Sequence, residues 1–168
     1  MKIVHKIKRV PENSIISRGF GKIDYCDSYR IFKSTNDSID TILTEVYKTP
    51  KWIDFLMSLR DSIVKIFGLK TDDKNNLNNT GFYSVGSKAA AFIVLDRNED
   101  EIVMFEDDKH LNYRTSIFID RHDELPALYM TTIVQFNNVW GKLYFIPVKP
   151  LHQLIVKTLL NKYMKKAN

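Results

Sequence analysis

This sequence has little that could staple, span or interrupt a fold. It holds a single cysteine, Cys26, so no intramolecular disulfide can form, and no ligand spacing suits zinc. Six Gly and five Pro in 168 residues are too few for a linker-rich or collagen-like chain. No apolar run approaches the roughly 20 residues needed to cross a bilayer. The first nine residues, Met1 to Arg9, alternate charge with aliphatic groups and build no signal-peptide core. Hydrophobic residues at 44% and charged residues at 27% exclude intrinsic disorder and coiled coil. The expectation is a reduced, cytoplasmic protein forming one domain over residues 1–168. A chain of that size buries about 70% of its unfolded surface and needs no metal.

The net charge of +5 is unevenly spread. Residues 1–22 carry six Lys/Arg and one acid, and residues 142–168 carry six Lys and no acid. The stretch between them has thirteen Lys/Arg against nineteen acids. Basic ends around an acidic middle do not make the clustered basic face of a nucleic-acid domain, so no nucleic-acid partner is expected. Lys162, Lys165 and Lys166 suit the last turn of a helix, where cations oppose its dipole. An anionic partner is the other reading of that tail.

Along the chain, Lys22 to Lys33 suits a first strand through Tyr25, Tyr29, Ile31 and Phe32. A polar turn at 34–38 offers several N-caps. Ile39, Ile42, Leu43 and Val46 then repeat at helical spacing. Thr49 and Pro50 open a second short helix that ends at Gly68, followed by an Asp/Asn-rich loop over 71–80. From 81 to 147 the texture is that of strands. Phe82, Tyr83 and Val85 begin it, and 92–95 and 102–105 flank a polar turn. Tyr113, Thr115, Ile117 and Ile119 share one face of a further strand. Residues 127–136 and 139–146 read as two strands about an Asn137-Asn138 turn. Pro147 and Pro150 mark a break before a closing helix, 151–166, with Leu151, Leu154, Ile155 and Leu159 on its apolar face. Clustered strands predict an α+β fold. It is an antiparallel sheet of about six to seven strands, curved around a long C-terminal helix, with two short helices after the first strand.

This order of elements resembles the helix-grip fold of the START-like (SRPBCC) superfamily. Two stretches, Glu106 to Arg114 and Tyr144 to His152, are similar to signatures of an uncharacterised bacterial family of unknown function within it. Tyr25, Asp27 and Tyr29 match that family's aromatic and acidic early strand. Some of its members are fused behind a nicotinamide-binding reductase domain. Here the one close glycine pair, Gly19-Phe20-Gly21, follows no apolar strand, so no cofactor is expected.

The densest polar group is Asp107, Asp108, His110 and Arg114. On an extended strand Asp108, His110 and Arg114 share one face, an alignment that fails for the first two if the strand begins at Leu111. A His beside a carboxylate suits proton transfer, which makes His110 and Asp108 the catalytic candidates. Arg114 suits an anionic or carbonyl oxygen, and Asp107 stands beside it. The plainer reading is a set of charges pairing in water where a strand starts. No third ligand accompanies Asp108 and His110, so no metal site is expected. His152 at the start of the closing helix and Tyr144 complete the ligand-binding candidates, Tyr144 also reading as a core or rim aromatic. Cys26 reads as a small packed hydrophobe, with a nucleophilic thiol as the alternative.

Three functions remain open. The first is a domain that binds a small apolar or lipid-like molecule between sheet and helix. The second is a cyclase- or isomerase-like enzyme using Asp108, His110 and Arg114. The third is a non-catalytic protein-interaction module. Neither ligand identity nor oligomeric state can be read from residues alone.

Overall fold

The computed structural model describes residues 4–48, 81–90, 92–122 and 124–166. Seven strands form one antiparallel sheet: β1 (His5–Ile7), β2 (Tyr25–Phe32), β3 (Lys88–Ala89), β4 (Phe92–Arg97), β5 (Glu101–Asp107), β6 (Leu111–Asp120) and β7 (Ala127–Phe136). Their spatial order is β1-β2-β7-β6-β5-β4-β3. Two helices are described, α1 (Ile39–Val46) and the long α2 (Val139–Lys166). This is the expected α+β architecture of a curved sheet with a C-terminal helix. The second short helix and the loop expected over 50–80 lie outside the described residues.

Local chemistry explains the elements. Ser38 caps α1 by accepting a hydrogen bond from the Thr41 backbone N–H at 3.2 Å. Its apolar residues Ile39, Ile42, Leu43 and Val46 are all buried, as their spacing predicts. The β4–β5 turn closes because the Asn98 side chain accepts from the backbone N–H of Asp100 and of Glu101.

Side chains alternate across each strand, and the two faces have different coverings. The inner face carries Tyr29 and Ile31 of β2, Met104 of β5, Ile117 and Ile119 of β6, and Leu128 and Met130 of β7. These pack against α1 and against Val156, Leu159, Leu160 and Tyr163 of α2. The outer face is closed by the segment before β2. Ile15 and Ile16 are buried there on Val103 and Ile133, with Cys26 alongside. Burial, and next the charge of Asp27, push the Cys26 thiol up to about 11. It therefore stays protonated near neutrality and packs as a hydrophobe.

Three expectations are corrected. Residues 139–146 are not a strand. They form the first two turns of α2, and Pro147 and Pro150 lie inside that helix. Asn138 makes the difference, since its side chain accepts from the Gly141 backbone N–H at 3.1 Å and caps a helix where a hairpin turn was expected. The two prolines leave the carbonyls of Leu143 and Ile146 without helical donors, but both residues are exposed and water can serve them. Second, Leu154 is 48% exposed, so the packed stripe is Val156, Leu159, Leu160 and Tyr163. Third, residues 82–85 are not a strand, and after them the chain returns to the sheet at Lys88.

Two stability predictions follow from this packing. Leu160→Ala should cost about 2–5 kcal/mol by opening a core cavity, and Leu154→Ala less than about 0.5 kcal/mol; equal denaturant midpoints for the two variants would contradict the assigned face. Gly141 is constrained by close approach, because a Cβ there would lie 2.1 Å from the His110 carbonyl oxygen. Gly141→Ala should therefore destabilise by about 1–3 kcal/mol as the helix start is forced off the β5–β6 turn. Lys142→Ala serves as the exposed control, and a Gly141→Ala protein melting with wild type would refute the contact.

Candidate functional site

A row of polar side chains crosses the inner face. Asp27 of β2 stands opposite Thr132 of β7, which stands opposite Thr115 of β6. All three are buried, Asp27 to 1% exposure. The central strands are otherwise apolar on this face near α2, so a carboxylate here is conspicuous. A charge this far from water must be stabilised by its neighbours.

Tyr25 shares a face with Asp27 because it lies two residues earlier on β2. Its hydroxyl donates to Asp27 Oδ2 at 2.6 Å. Gln153 of α2 donates in turn to the Tyr25 oxygen at 2.9 Å, so a directed chain runs Gln153 to Tyr25 to Asp27. His152, the neighbouring residue on α2, places Nε2 3.5 Å from Asp27 Oδ1, an ion pair whenever the imidazole is protonated. Burial alone would raise the Asp27 pKa. The contact and charge of His152, the Tyr25 hydroxyl and the Lys6 charge outweigh it and hold the pKa below the ordinary carboxylate value. Burial and then the Asp27 interaction push the Tyr25 and Tyr29 hydroxyls the other way, so both stay protonated and able to donate.

Aromatic rings surround this polar centre. Tyr113 meets the His152 ring edge-on with centroids 6.2 Å apart and stacks on Phe92 at 5.5 Å. Phe145 of α2 lies edge-on to Tyr25 at 4.7 Å and to Phe136 at 5.3 Å. Within the enclosure, Asp27 Oδ1, the Tyr29 hydroxyl, Thr115 Oγ1 and His152 Nε2 are buried and make no well-formed hydrogen bond. Asp27 Oδ1 and His152 Nε2 face each other at 3.5 Å. The Thr115 oxygen lies near the Tyr47 hydroxyl, and the Tyr29 hydroxyl near Asp27.

The candidates read from sequence fall into three places. His152 belongs to this centre. Tyr144 packs beside the cluster of Leu111, Val134 and Phe145, eight residues earlier on α2, or about 12 Å along the axis. Asp107, Asp108, His110 and Arg114 are not brought together on one face. β6 begins at Leu111, so Asp108 and His110 sit in the preceding turn. There the Asp108 carbonyl accepts from the Asn137 side chain, and the Asn138 amide lies 3.1 Å from His110 Nδ1. Arg114 points to the outer face, where it donates to the carbonyls of Ile16 and Arg18 and lies 4.8 Å from the Phe20 ring. Asp107 is exposed at the end of β5 with its charge near that guanidinium. Arg114 thus pins the outer segment, together with buried Glu101, whose carboxylate accepts from the Ser14 hydroxyl and the Ile15 N–H. Among the described residues, no group of three or more His, Cys, Asp or Glu is placed to hold a metal ion. None of the described helices is long and apolar enough to cross a membrane.

Asp27 and Gln153 were missed as site residues. The available signal was parity. Asp27 occupies the same face of β2 as Tyr25, Tyr29 and Ile31, the face an amphipathic strand buries. Because its pKa is depressed on folding, Asp27 contributes stability that is present above about pH 4 and lost as pH falls through its folded value. The gap in unfolding free energy between wild type and Asp27→Asn should therefore narrow on acidification below about pH 4. A gap independent of pH would show that Asp27 is not ionised in the fold.

No curated protein and no solved structure matches this chain. A family of proteins of unknown function, DUF2867, matches residues 20–159. That span includes β2 to β7, α1 and most of α2, and with them Tyr25, Asp27, His152 and Gln153. The chain belongs to the DUF2867 family.

Proposed function

We propose that this chain is a small-molecule-binding domain of the START-like, helix-grip kind, with its site between the inner face of the sheet and α2. One observation carries the reading. Asp27 Oδ1, the Tyr29 hydroxyl and His152 Nε2 meet where β2 faces α2, buried and without well-formed hydrogen bonds, and Thr115 Oγ1 continues the row on β6. An unpaired buried donor or acceptor costs about 1–3 kcal/mol, and a convergent set is stabilised by a molecule that brings the missing partners. The aromatic rings of Phe92, Tyr113 and Phe145 supply the apolar wall that such sites use to hold a ligand's body. Asp27 accepts from the ligand's donor, and the Tyr29 hydroxyl donates to its oxygen.

Binding is favoured over proton-transfer chemistry at Asp108, His110 and Arg114, because those three side chains do not converge. A thermal-shift screen of small amphipathic alcohols, ketones and acids should yield stabilising compounds. Asp27→Asn and His152→Ala should weaken them about tenfold or more, the worth of a hydrogen bond to a charged group. Leu143→Ala, on the exposed side of α2, should bind normally. The reading fails if no compound stabilises the protein, or if hits bind both site variants as tightly as wild type.

A further inference from the structure

The two basic ends of the chain meet at one edge of this site. β1 comes from the first basic stretch and lies at the sheet edge beside β2, with Lys6 opposite Tyr29. Lys149 and Lys157 come from the last basic stretch, on the side of α2 that also presents Gln153. Lys6 Nζ and Lys157 Nζ lie 5.5 and 5.8 Å from the centroid of the same Tyr29 ring. Lys149 Nζ lies 5.1 Å from the Tyr25 ring. Three ammonium groups therefore surround the two tyrosines whose hydroxyls point at Asp27.

Two other lysines of α2 have partners. Lys166 pairs with Glu45, and Lys162 donates to the Lys48 carbonyl. Lys6, Lys149 and Lys157 are exposed, and among the described residues none makes an ion pair within 4 Å. The acid in their field is Asp27, a single buried charge already engaged by Tyr25 and His152. Burial and the mutual repulsion of Lys6 with Lys157, Lys149 and Lys8 lower the Lys6 pKa, against the pull of Asp27. Three like charges crowded around one buried, already engaged acid, with no ion pair of their own among the described residues, form a receptor for an anion.

We infer that the ligand of this domain carries an anionic group, held at the β1 side of α2 by Lys6, Lys149 and Lys157, while its body lies against the aromatic wall. This rests on the binding reading above and adds the charge of the ligand to it. The remainder of the molecule reaches inward to the Asp27 row, so the site selects small amphipathic acids over neutral molecules of the same shape.

The test uses two fluorophores with the same aromatic body, anilinonaphthalene sulfonate and uncharged phenylnaphthylamine, titrated into the folded full-length chain. At low ionic strength the sulfonate should bind about tenfold tighter, a difference of about 1.4 kcal/mol, and added salt should shrink that advantage. The triple variant Lys6→Gln, Lys149→Gln, Lys157→Gln should bring the sulfonate to within about twofold of phenylnaphthylamine, with phenylnaphthylamine affinity unchanged. Lys165→Gln should retain the full preference. If wild type binds both probes equally, or the triple variant keeps the preference, the anionic ligand is refuted while small-molecule binding stands. If neither probe binds, both fall.

Discussion

A carboxylate that stays ionised while almost wholly out of water is the constraint on which this structure turns. Moving such a charge into the interior costs several kcal/mol even after relaxation, so Asp27 must find its compensation in the surrounding fold. Tyr25 supplies a hydroxyl from the same strand and His152 an imidazole from α2, while Lys6 adds its field from β1. Gln153 extends the network by holding the Tyr25 hydroxyl. The position of α2 along the sheet is thereby tied to one acid. A shift of one helical turn, about 5.4 Å, would leave Asp27 without His152 and Tyr25 without Gln153.

The opposite face solves a different problem. An antiparallel sheet commonly leaves one face to water, but here the chain before β2 covers it with Ile15 and Ile16. Between β1 and β2 that segment contains no strand or helix, so its attachment depends on polar anchors. Glu101 receives the Ser14 hydroxyl and the Ile15 N–H, and Arg114 donates to the Ile16 and Arg18 carbonyls. The two charged residues therefore act as backbone clamps on β5 and β6. A third clamp stands on the inner side. Arg97 binds Asp40 with both terminal nitrogens at 2.8 Å and the Tyr83 carbonyl at 2.6 Å, joining α1 to β4 and to the chain before β3. These three clamps are structural. Asp27, Tyr29, Thr115 and His152 keep unused hydrogen-bonding capacity on the inner face, as Arg30, Ser116 and Tyr163 do elsewhere among the described residues.

Much of this was legible from period and parity. Tyr113, Thr115, Ile117 and Ile119 fall on the inner face as their alternation requires, and the α1 stripe is buried where its spacing places it. The C-terminal error has a local origin. Val139 to Ile146 is apolar and aromatic enough to suit a strand, and the prolines at 147 and 150 argue for an end. The winning signals were weaker in the sequence: an Asn able to cap, and a Gly three residues later where the helix start touches the His110 carbonyl. The polar cluster between 107 and 114 drew interest through density, yet density along a chain says nothing about convergence. His110 sits in the turn before β6 while Arg114 lies on the strand itself, and parity sends Arg114 outward. Asp27 has Tyr25 nearby in sequence, but His152, and Gln153 behind Tyr25, lie more than a hundred residues away. Only pairing across the fold makes them a site.

The same pairing explains why the net charge misleads when read along the chain. Basic residues at both ends look like independent tails, but β1 and α2 are neighbours of β2, so Lys6 meets Lys149 and Lys157 there. Lys6 helps to hold Asp27 ionised, but Asp27 is one charge that also has a hydroxyl and an imidazole beside it. Three exposed ammoniums around two tyrosines leave positive potential in excess of that single acid, and rings beneath them lower the local dielectric and strengthen it. Lys6 is also set apart by position, because it precedes the residues matched by the family, while Lys149 and Lys157 lie within them. The buried acid and its aromatic surroundings thus belong to the family's span of this chain. Part of the charge at the rim is supplied by an edge strand from outside that span.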